Sequence, residues 1–373
     1  MENKREYQIC TRCVMDTTDP DIVFDENGVC NHCIGAIKGL EKIRIESEEE
    51  RKKKINDIVN TIKESGKGKK YDCIIGLSGG VDSSYLAYVV VKRLGLRPLA
   101  VHLDNGWNSE LAVKNIENIV KKLNIDLFTH VIDWEEFRDL QKAYLKASVL
   151  DLEVLSDNAI VVAIHNLLKK YNLKYFLIGF NMQAESIMPA NWLYSPKYDS
   201  KNILSIYRKF GNKKRLKTYP LFNFLEYIRY RFFDNSRTIN ILDTVPYVKK
   251  QSIEILEKEL GWKDYGGKHF ESRITQFYQS HILPVKFNVD KRRAHLSSLI
   301  VSNQITRQQA LKILNQKLYD PKKLEADIEY FCKKLELTRD EFTTIMNTLP
   351  VSHYKYASYN KLFDRLAKLK QKL

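Results

Sequence analysis

The 373-residue sequence predicts an α/β protein built on a parallel sheet, with a cysteine-rich segment before the sheet and a mostly helical region after it. Three observations support this prediction. Between residues 71 and 180, short apolar runs alternate with stretches of helical spacing, which is typical of a parallel sheet covered on both faces. Four of the six cysteines lie in the first 35 residues. From about residue 181 aromatic and basic residues interleave, and helical periodicity returns from residue 249.

Length and composition limit the class of protein. The chain is long enough for two or three domains, and 44% hydrophobic with 29% charged residues is typical of a soluble globular protein. No apolar run reaches the roughly 18 residues of a membrane span, and the N-terminal residues lack the apolar core of a signal peptide. We therefore expect a cytoplasmic location.

The cysteines of the first segment form two C-x-x-C pairs, Cys10 with Cys13 and Cys30 with Cys33, separated by 16 residues. This spacing is close to that of Cys₄ zinc sites, and thiolates suit Zn²⁺. A reducing compartment disfavours disulfides, and two matched pairs favour metal binding over redox chemistry. His32 is a possible substitute ligand, although four cysteines suffice. The pair Asn27-Gly28 predicts a hairpin turn between the two knuckles.

The elements follow in order. Apolar residues at helical spacing predict a connecting helix that ends near Gly66. The alternating region then predicts strands at 71–77, 98–103, 126–132 and 174–180, and helices at 83–94, 109–123, 134–147 and 156–171. Further helices are predicted at 249–260, 306–318, 322–336, 338–347 and 360–372.

The first strand leads into the segment Ser78-Gly79-Gly80-Val81-Asp82-Ser83-Ser84 and then a helix. Adjacent glycines let an anion approach the main chain, and serine hydroxyls add donors at a helix N-terminus, so the turn suits a pyrophosphate. No lysine follows the glycines, and adjacent glycines do not match G-x-G-x-x-G, so the segment is neither a Walker loop nor a dinucleotide fingerprint. The alternative is an ordinary turn with Ser and Asp as helix caps. Ligands of parallel sheets bind beyond the carboxyl ends of strands, where Ser78, Asp104 and Gly179 fall.

Charge is uneven along the chain. Residues 1–185 hold 26 Lys and Arg against 28 Asp and Glu, whereas residues 186–373 hold 35 against 18. A basic half is compatible with nucleic acid, an anionic small substrate or an acidic partner. Basic clusters such as Lys213-Lys214-Arg215 and Lys291-Arg292-Arg293 are each interpreted as solvated helix faces.

Together these motifs resemble the N-acetyl sugar amidotransferases of bacterial surface-polysaccharide and nonulosonic-acid pathways, members of the PP-loop ATP pyrophosphatase superfamily with its adenine nucleotide alpha hydrolase-like fold. The resemblance covers nearly the whole chain. The motifs that carry it, besides the loop, are Cys10-Thr11-Arg12-Cys13-Val14-Met15, Phe24-Asp25-Glu26-Asn27-Gly28-Val29-Cys30, Val101-His102-Leu103-Asp104-Asn105-Gly106-Trp107, Ile178-Gly179-Phe180-Asn181 and Lys268-His269-Phe270-Glu271-Ser272.

The resemblance implies a zinc-knuckle segment (1–40), a connecting helix (41–70), a PP-loop domain (71–200) and a helical basic domain (201–373). It implies conversion of a sugar's acetamido group to acetamidino with ATP, Mg²⁺ and Zn²⁺. Asp82 is the candidate Mg²⁺ ligand, Asp104 is placed near the adenosine or as a turn residue, and Lys268, His269 and Glu271 are candidate catalytic groups. Glu185, Lys286, Arg292 and Arg293 are weaker candidates. The implied nucleotide-binding residues are Ser78, Gly79, Gly80, Val81, Asp82, Ser83, Ser84, Asp104 and Gly179.

The implied partners are a glutaminase subunit, and with it a cyclase-like ammonia-channel subunit, because neither Cys73 nor Cys332 resembles an activated nucleophile. Exposed aromatic residues in 192–235 are interpreted as interface or core, and the implied substrate is an anionic sugar. The competing interpretation is a tRNA-thiolating PP-loop enzyme, which would explain the basic half but needs a catalytic cysteine. A zinc-ribbon binding module with a decayed nucleotide fold is disfavoured because the loop is intact.

Overall fold

A five-stranded parallel sheet forms the centre of the molecule, in the order β3-β2-β1-β4-β5. The computed structural model describes residues 5–44, 47–212, 215–266 and 270–362. The chain moves outward from β1 through β2 to β3 and then returns to place β4 on the other side of β1. This reversal creates a crevice at the carboxyl ends of β1 and β4. The strands are β1 (Cys73–Gly76), β2 (Pro98–Asp104), β3 (Asp126–Val131), β4 (Tyr175–Leu177) and β5 (Arg237–Ile239).

Helices cover both faces of the sheet and form most of the remaining structure. The first turns of α3 follow the loop after β1, and α3 continues as a π-helical turn over Val89–Arg93. None of the helices in the described ranges has the length and apolar character that a bilayer span requires. The helices are α1 (Asn31–Ile43), α2 (Glu48–Ser65), α3 (Val81–Tyr88), α4 (Glu110–Leu123), α5 (Trp134–Lys146), α6 (Val154–Lys170), α7 (Met182–Glu185), α8 (Ser200–Phe210), α9 (Phe224–Phe233), α10 (Lys249–Leu260), α11 (Arg273–Phe277), α12 (Leu283–Phe287), α13 (Lys291–Val301), α14 (Arg307–Leu314), α15 (Pro321–Leu335) and α16 (Arg339–Asn347).

The predicted α/β architecture with a helical C-terminal region is confirmed. Strand β5, which is three residues long and pairs with β4, was not predicted from the sequence. Helices α1, α7, α8, α9 and α11–α13 were also not predicted. Three of them are too short to show a helical period, since α7 spans four residues and α11 and α12 span five each. The helix predicted at 360–372 lies mostly outside the described residues.

The N-terminal segment packs against the C-terminal helices rather than standing apart. The Val14 N–H donates to the Ser297 hydroxyl over 3.2 Å, and Arg293 forms a 2.9 Å ion pair with the buried Asp16 carboxylate. Arg307 donates to the carbonyl oxygens of Cys10 and Cys13. The cysteine segment therefore fixes the positions of α13 and α14.

A buried carboxylate, Glu136 on α5, organises the chain entering the basic half. Burial by itself would raise its pKa, but hydrogen bonds from the backbone N–H groups of Lys217, Thr218 and Tyr219, at 2.6 to 2.9 Å, outweigh burial and lower the pKa. These bonds favour the ionised carboxylate, so they stabilise the folded state at pH values above the ordinary glutamate pKa of about 4.3. That stabilisation is lost as the pH falls through the lower pKa that Glu136 has in the folded protein.

We expect Glu136→Gln to lower the free energy of unfolding at pH 7 and to flatten its dependence on pH below about 5, because an amide does not titrate. Urea unfolding from pH 3 to pH 7 measures both effects. The exposed Glu135 beside it is the control. If Glu136→Gln and Glu135→Gln show the same pH dependence, this role of Glu136 is wrong.

Candidate functional site

The loop between β1 and α3 opens a helix N-terminus toward the crevice of the sheet. Gly79 has φ of +83°, and its carbonyl accepts a 2.8 Å hydrogen bond from the buried Trp262 indole. Gly80 is the N-cap residue, and no described side chain caps the helix there. The Ser78 and Ser83 hydroxyls lie 3.0 Å apart across the loop. The first N–H groups of α3, with two hydroxyls beside them, form a seat for an anion.

Gly80 leaves a small cradle over this seat. A Cβ at Gly80 would come within 3.1 to 3.2 Å of the Glu271 carboxylate, the Ser78 hydroxyl and the Tyr265 hydroxyl. Glu271 reaches the loop because its segment pairs with the chain after β2, where the Ser109 N–H donates to the Glu271 carbonyl over 2.9 Å. This pairing joins residues far apart in the sequence and aims a carboxylate at the loop.

Two cavities meet at the loop. The outer one, of about 430 Å³, lies over the start of α3 and is also lined by Lys249 and Tyr265. The inner one, of about 510 Å³, extends from the ends of β1 and β2 toward α6 and α13. Residues shared by both cavities are Ser78, Ser83, Gly179, Glu185 and Glu271. A ligand with several phosphates can occupy the outer cavity while the rest of it lies in the inner one.

Asp82 lines the outer cavity, and the Tyr247 hydroxyl donates to its carboxylate. Burial, together with the Asp82 charge, raises the pKa of Tyr247, which keeps the phenol neutral as a donor. Mg²⁺ in proteins is commonly held by one or two carboxylates together with substrate phosphates. Asp82 and Glu271 line the outer cavity together with Glu185 and Asp264 and would supply such carboxylates, and Mg²⁺ there would neutralise phosphate charge.

At the end of β2, His102 and Asp104 shape the crevice in different ways. His102 lines the inner cavity, and burial lowers its pKa, so the ring is neutral at pH 7. Nδ1 lies 3.0 Å from the Leu77 carbonyl oxygen, and Nε2 lies 3.0 Å from the Asn108 side-chain amide nitrogen. Because the carbonyl accepts and the amide donates, the ring proton is on Nδ1. The Asp104 carboxylate accepts from the Gly106 N–H over 2.9 Å, so it acts as a turn residue, and its neighbours Leu103 and Asn105 line the cavity instead.

The far end of the inner cavity holds an ion pair between a buried lysine and a partly exposed glutamate, which was not predicted from the sequence. Lys291 is an ion-pair partner of Glu153 at 2.6 Å, and its side chain is only 6% exposed. The second Glu153 oxygen accepts from the Gln279 amide over 2.8 Å. The interpretation of Lys291-Arg292-Arg293 as a solvated face is therefore wrong for Lys291. By contrast, Arg292 and Arg293 pair with Asp290 and Asp16, and Lys286 caps the end of α16, so these three groups have structural partners.

We expect Lys291→Met to cost about 3 kcal/mol of unfolding free energy, because it leaves the Glu153 charge unpaired in a largely buried position. The double variant Glu153→Gln/Lys291→Met removes both charges and should recover most of that stability. Denaturant melts of the two variants and the parent measure this coupling. If the double variant is no more stable than Lys291→Met, the pair is not coupled as described.

The structure brings most of the predicted loop residues together, with exceptions. Ser78, Gly80, Val81, Asp82, Ser83, Gly179 and Glu271 line one or both cavities. Gly79 instead packs on α4. Ser84 is buried, lines neither cavity, and has a hydroxyl with no partner among the described residues. Lys268 and His269 lie outside the described residues. The roles of all these groups as ligands stay predictions.

The four predicted metal ligands converge. The Sγ atoms of Cys10, Cys13, Cys30 and Cys33 all lie within 4.8 Å of one another and are buried. The Cys13–Cys30 and Cys10–Cys33 distances are 3.7 and 3.9 Å. Zinc–sulfur bonds of about 2.3 Å in a tetrahedron require sulfurs about 3.8 Å apart, so the cluster fits Zn²⁺. His32 is not part of it, because its ring lies 2.5 Å from the buried Asp19 carboxylate.

Comparison with known proteins gives two family matches. Residues 271–370 match the model of the LPS biosynthesis protein WbpG-like, C-terminal domain, and residues 51–171 match the NAD synthase model. Among curated proteins, an uncharacterized protein of Methanocaldococcus jannaschii is 26% identical over 174 residues, which is 46% of this chain and 59% of that protein. The glutamine-hydrolyzing GMP synthase of Pyrobaculum aerophilum is 37% identical over 73 residues, 20% of this chain and 14% of that protein. The chain thus spans less than two thirds of either relative.

Solved structures with similarity include NMN synthetase from Francisella tularensis, with 16% identity and a TM-score of 0.35, covering 77% of this chain and 97% of that one. The NH₃-dependent NAD synthetase from Campylobacter jejuni has 15% identity and a TM-score of 0.28, covering 57% and 93%. Both scores are below 0.5, so the fold assignment depends on the strand order, the loop and the family matches.

The strand order, the serine-glycine loop and the NAD synthase match define a protein of the PP-loop class. In this chain that domain is joined to a WbpG-like C-terminal domain. Each family match covers less than half of the chain, and both agree with the resemblance of its sequence motifs to PP-loop amidotransferases of polysaccharide biosynthesis.

Proposed function

We propose that this protein is an ATP-dependent amidotransferase that converts an acetamido group of a sugar, carried on a nucleotide, to an acetamidino group. The observation that carries the proposal is the anion seat between two cavities. The outer cavity has the helix N-terminus and Lys249 for departing phosphates, while the inner one has room for the adenosine and the acetamido end of a sugar.

The proposed reaction has two steps. The acetamido oxygen attacks the α-phosphate of ATP, forming a P–O bond, and pyrophosphate leaves. Ammonia then attacks the activated carbon, AMP departs with the former acetamido oxygen, and loss of a proton gives the amidine. Activation is required because an amide oxygen is a poor leaving group, and donors at the seat favour the first step by stabilising the charge that develops on pyrophosphate.

We assign these roles to residues that line the two cavities. Ser78, Ser83 and the first N–H groups of α3 would bind the outer phosphates, and Asp82 with Glu271 would hold Mg²⁺. Glu185 also lines both cavities and is the proposed acceptor of the proton that ammonium loses. Lys268 and His269 remain candidates for binding the negatively charged group of an anionic sugar. ATP, Mg²⁺ and a structural Zn²⁺ are the proposed cofactors.

Ammonia is proposed to come from a glutaminase subunit, with a cyclase-like channel subunit as a second partner. Outside the zinc cluster the cysteines are Cys73 and Cys332, and neither lines a cavity among the described residues. Burial raises the pKa of both thiols, which opposes nucleophilic use. The same observation disfavours the alternative, a tRNA-thiolating enzyme, which needs a thiol at the nucleotide.

The test is to incubate the protein with ATP, Mg²⁺, ammonium and a panel of nucleotide-linked N-acetyl sugars. We expect AMP and pyrophosphate, and a sugar product lighter by about one mass unit because NH replaces O. Release of ADP and orthophosphate, or turnover that requires tRNA instead of a sugar, would contradict the proposal.

A further inference from the structure

Helix α9 presents an apolar surface that the site does not use. The side chains of Leu225, Phe232 and Phe233 are 76%, 55% and 72% exposed, and Phe224 is 43% exposed. Leu225, Phe232 and Phe233 lie seven and eight residues apart, which places them on one side of the helix. The aromatic residues in 192–235, which were predicted to be interface or core, are therefore of two kinds. Trp192, Tyr194 and Tyr207 belong to the core, whereas the phenylalanines of α9 are exposed.

The opposite side of α9 holds the helix firmly on the protein. Tyr227 is fully buried, and its ring lies 4.5 Å from that of Tyr359 and 5.5 Å from that of Tyr198. Asn223 and Glu226 form a capping box at the start of the helix. A helix that is apolar on both sides is normally buried on both. The outward side of α9 therefore has the composition of a contact surface.

The charges around this surface are mostly positive. Arg229 and Arg237 are exposed on α9 and the strand that follows it, and Lys169 and Lys174 are exposed on the adjacent elements. Arg231 is also exposed, but its guanidinium donates to the Tyr227 hydroxyl and to Asn360. Two acids lie nearby, Glu226 in the capping box and Asp234 at 3.0 Å from His165, so basic residues outnumber acidic ones around the surface. Exposed phenylalanine and leucine with arginine and lysine beside them are the composition of helices that lie in the interface of an anionic membrane.

We propose that α9 is a membrane-association helix that binds bilayers containing anionic lipids, with Leu225, Phe232 and Phe233 entering the headgroup region. Long cationic side chains flanking the helix can extend to the phosphates while their stems stay on the apolar surface. An ammonia-supplying subunit is a poorer occupant, because no α9 residue lines either cavity and ammonia must reach the site. The proposal goes beyond the proposed reaction and does not depend on it.

The experiment is flotation of the purified full chain with vesicles of phosphatidylcholine alone or mixed with phosphatidylglycerol. We expect binding to the anionic vesicles and little to the neutral ones, with affinity falling as salt rises. Leu225→Asp/Phe233→Asp should abolish binding. Arg229→Ala and Arg237→Ala should each weaken it about five-fold.

The matched control is Val131→Asp/Leu349→Asp, at two other apolar side chains that are 67% and 81% exposed, and it should bind like the parent. Circular dichroism and ATP turnover confirm folding, since none of these residues lies at the site. Equal flotation of the α9 double variant and the control would overturn the proposal, as would absence of binding to anionic vesicles. A dimer in light scattering that Leu225→Asp/Phe233→Asp dissociates, without vesicle binding, would assign the surface to a second copy instead.

Discussion

Gly79→Ala should reduce ATP turnover about 100-fold or more, because the loop that forms the anion seat cannot accept a side chain there. Gly79 has φ of +83°, and an added Cβ would lie 2.8 Å from the carbonyl oxygen of Ala112 in the first turn of α4. That neighbour is backbone and cannot rotate away. The peptide must therefore shift, breaking the hydrogen bond from Trp262 and displacing the N–H groups that point at the seat.

The matched control is Gly68→Ala. Gly68 has φ of +74°, so its backbone strain is similar, but an added Cβ there would meet no described atom within 4 Å. We expect it to cost about 1 kcal/mol of stability and to leave turnover unchanged. The measurement is kcat/KM for ATP, by release of pyrophosphate, on both variants after their folding is verified. Parental activity of Gly79→Ala would show that the loop does not hold the phosphates.

Replacing Cys10 and Cys33 by serine should remove zinc and lower the unfolding temperature by about 10 °C, because structural zinc contributes directly to folding free energy. The effect should extend beyond the segment itself. Arg307 donates to the Cys10 and Cys13 carbonyls, and Arg293 pairs with Asp16, so α13 and α14 lose their contacts when the knuckles open. Since α13 carries Lys291 into the inner cavity, turnover should fall as well.

The control for the zinc site is Cys332→Ser, which changes a buried cysteine of the core that lies outside the cluster. It should keep one zinc ion per chain by elemental analysis and lose little stability. If the double serine variant loses zinc but keeps its unfolding temperature, zinc does not stabilise the fold and this prediction is wrong.

Local patterns in the sequence were sufficient for the features that depend on neighbouring residues. The period of apolar residues predicted β1 to β4 and α10. Two C-x-x-C pairs predicted the metal cluster, because the short spacing within each pair presents two sulfurs to one ion. The serine-glycine turn after an apolar strand predicted an anion seat for the same reason. The loop and each C-x-x-C pair depend on chain geometry over a few residues, whereas the 16 residues between the two pairs must fold to bring them together.

The tertiary structure alone decided the features that join distant segments. Glu271 reaches the loop through pairing with Ser109, Tyr247 orients Asp82, and Lys291 meets Glu153 from 138 residues away. Whether a basic residue is solvated or engaged likewise depends on what packs against it, which is why Lys291 pairs with Glu153 inside a cavity while Arg292 pairs with Asp290 and the carbonyls at the end of α14. Local spacing carries no information about such contacts, because they form only when the sheet and the C-terminal helices pack together.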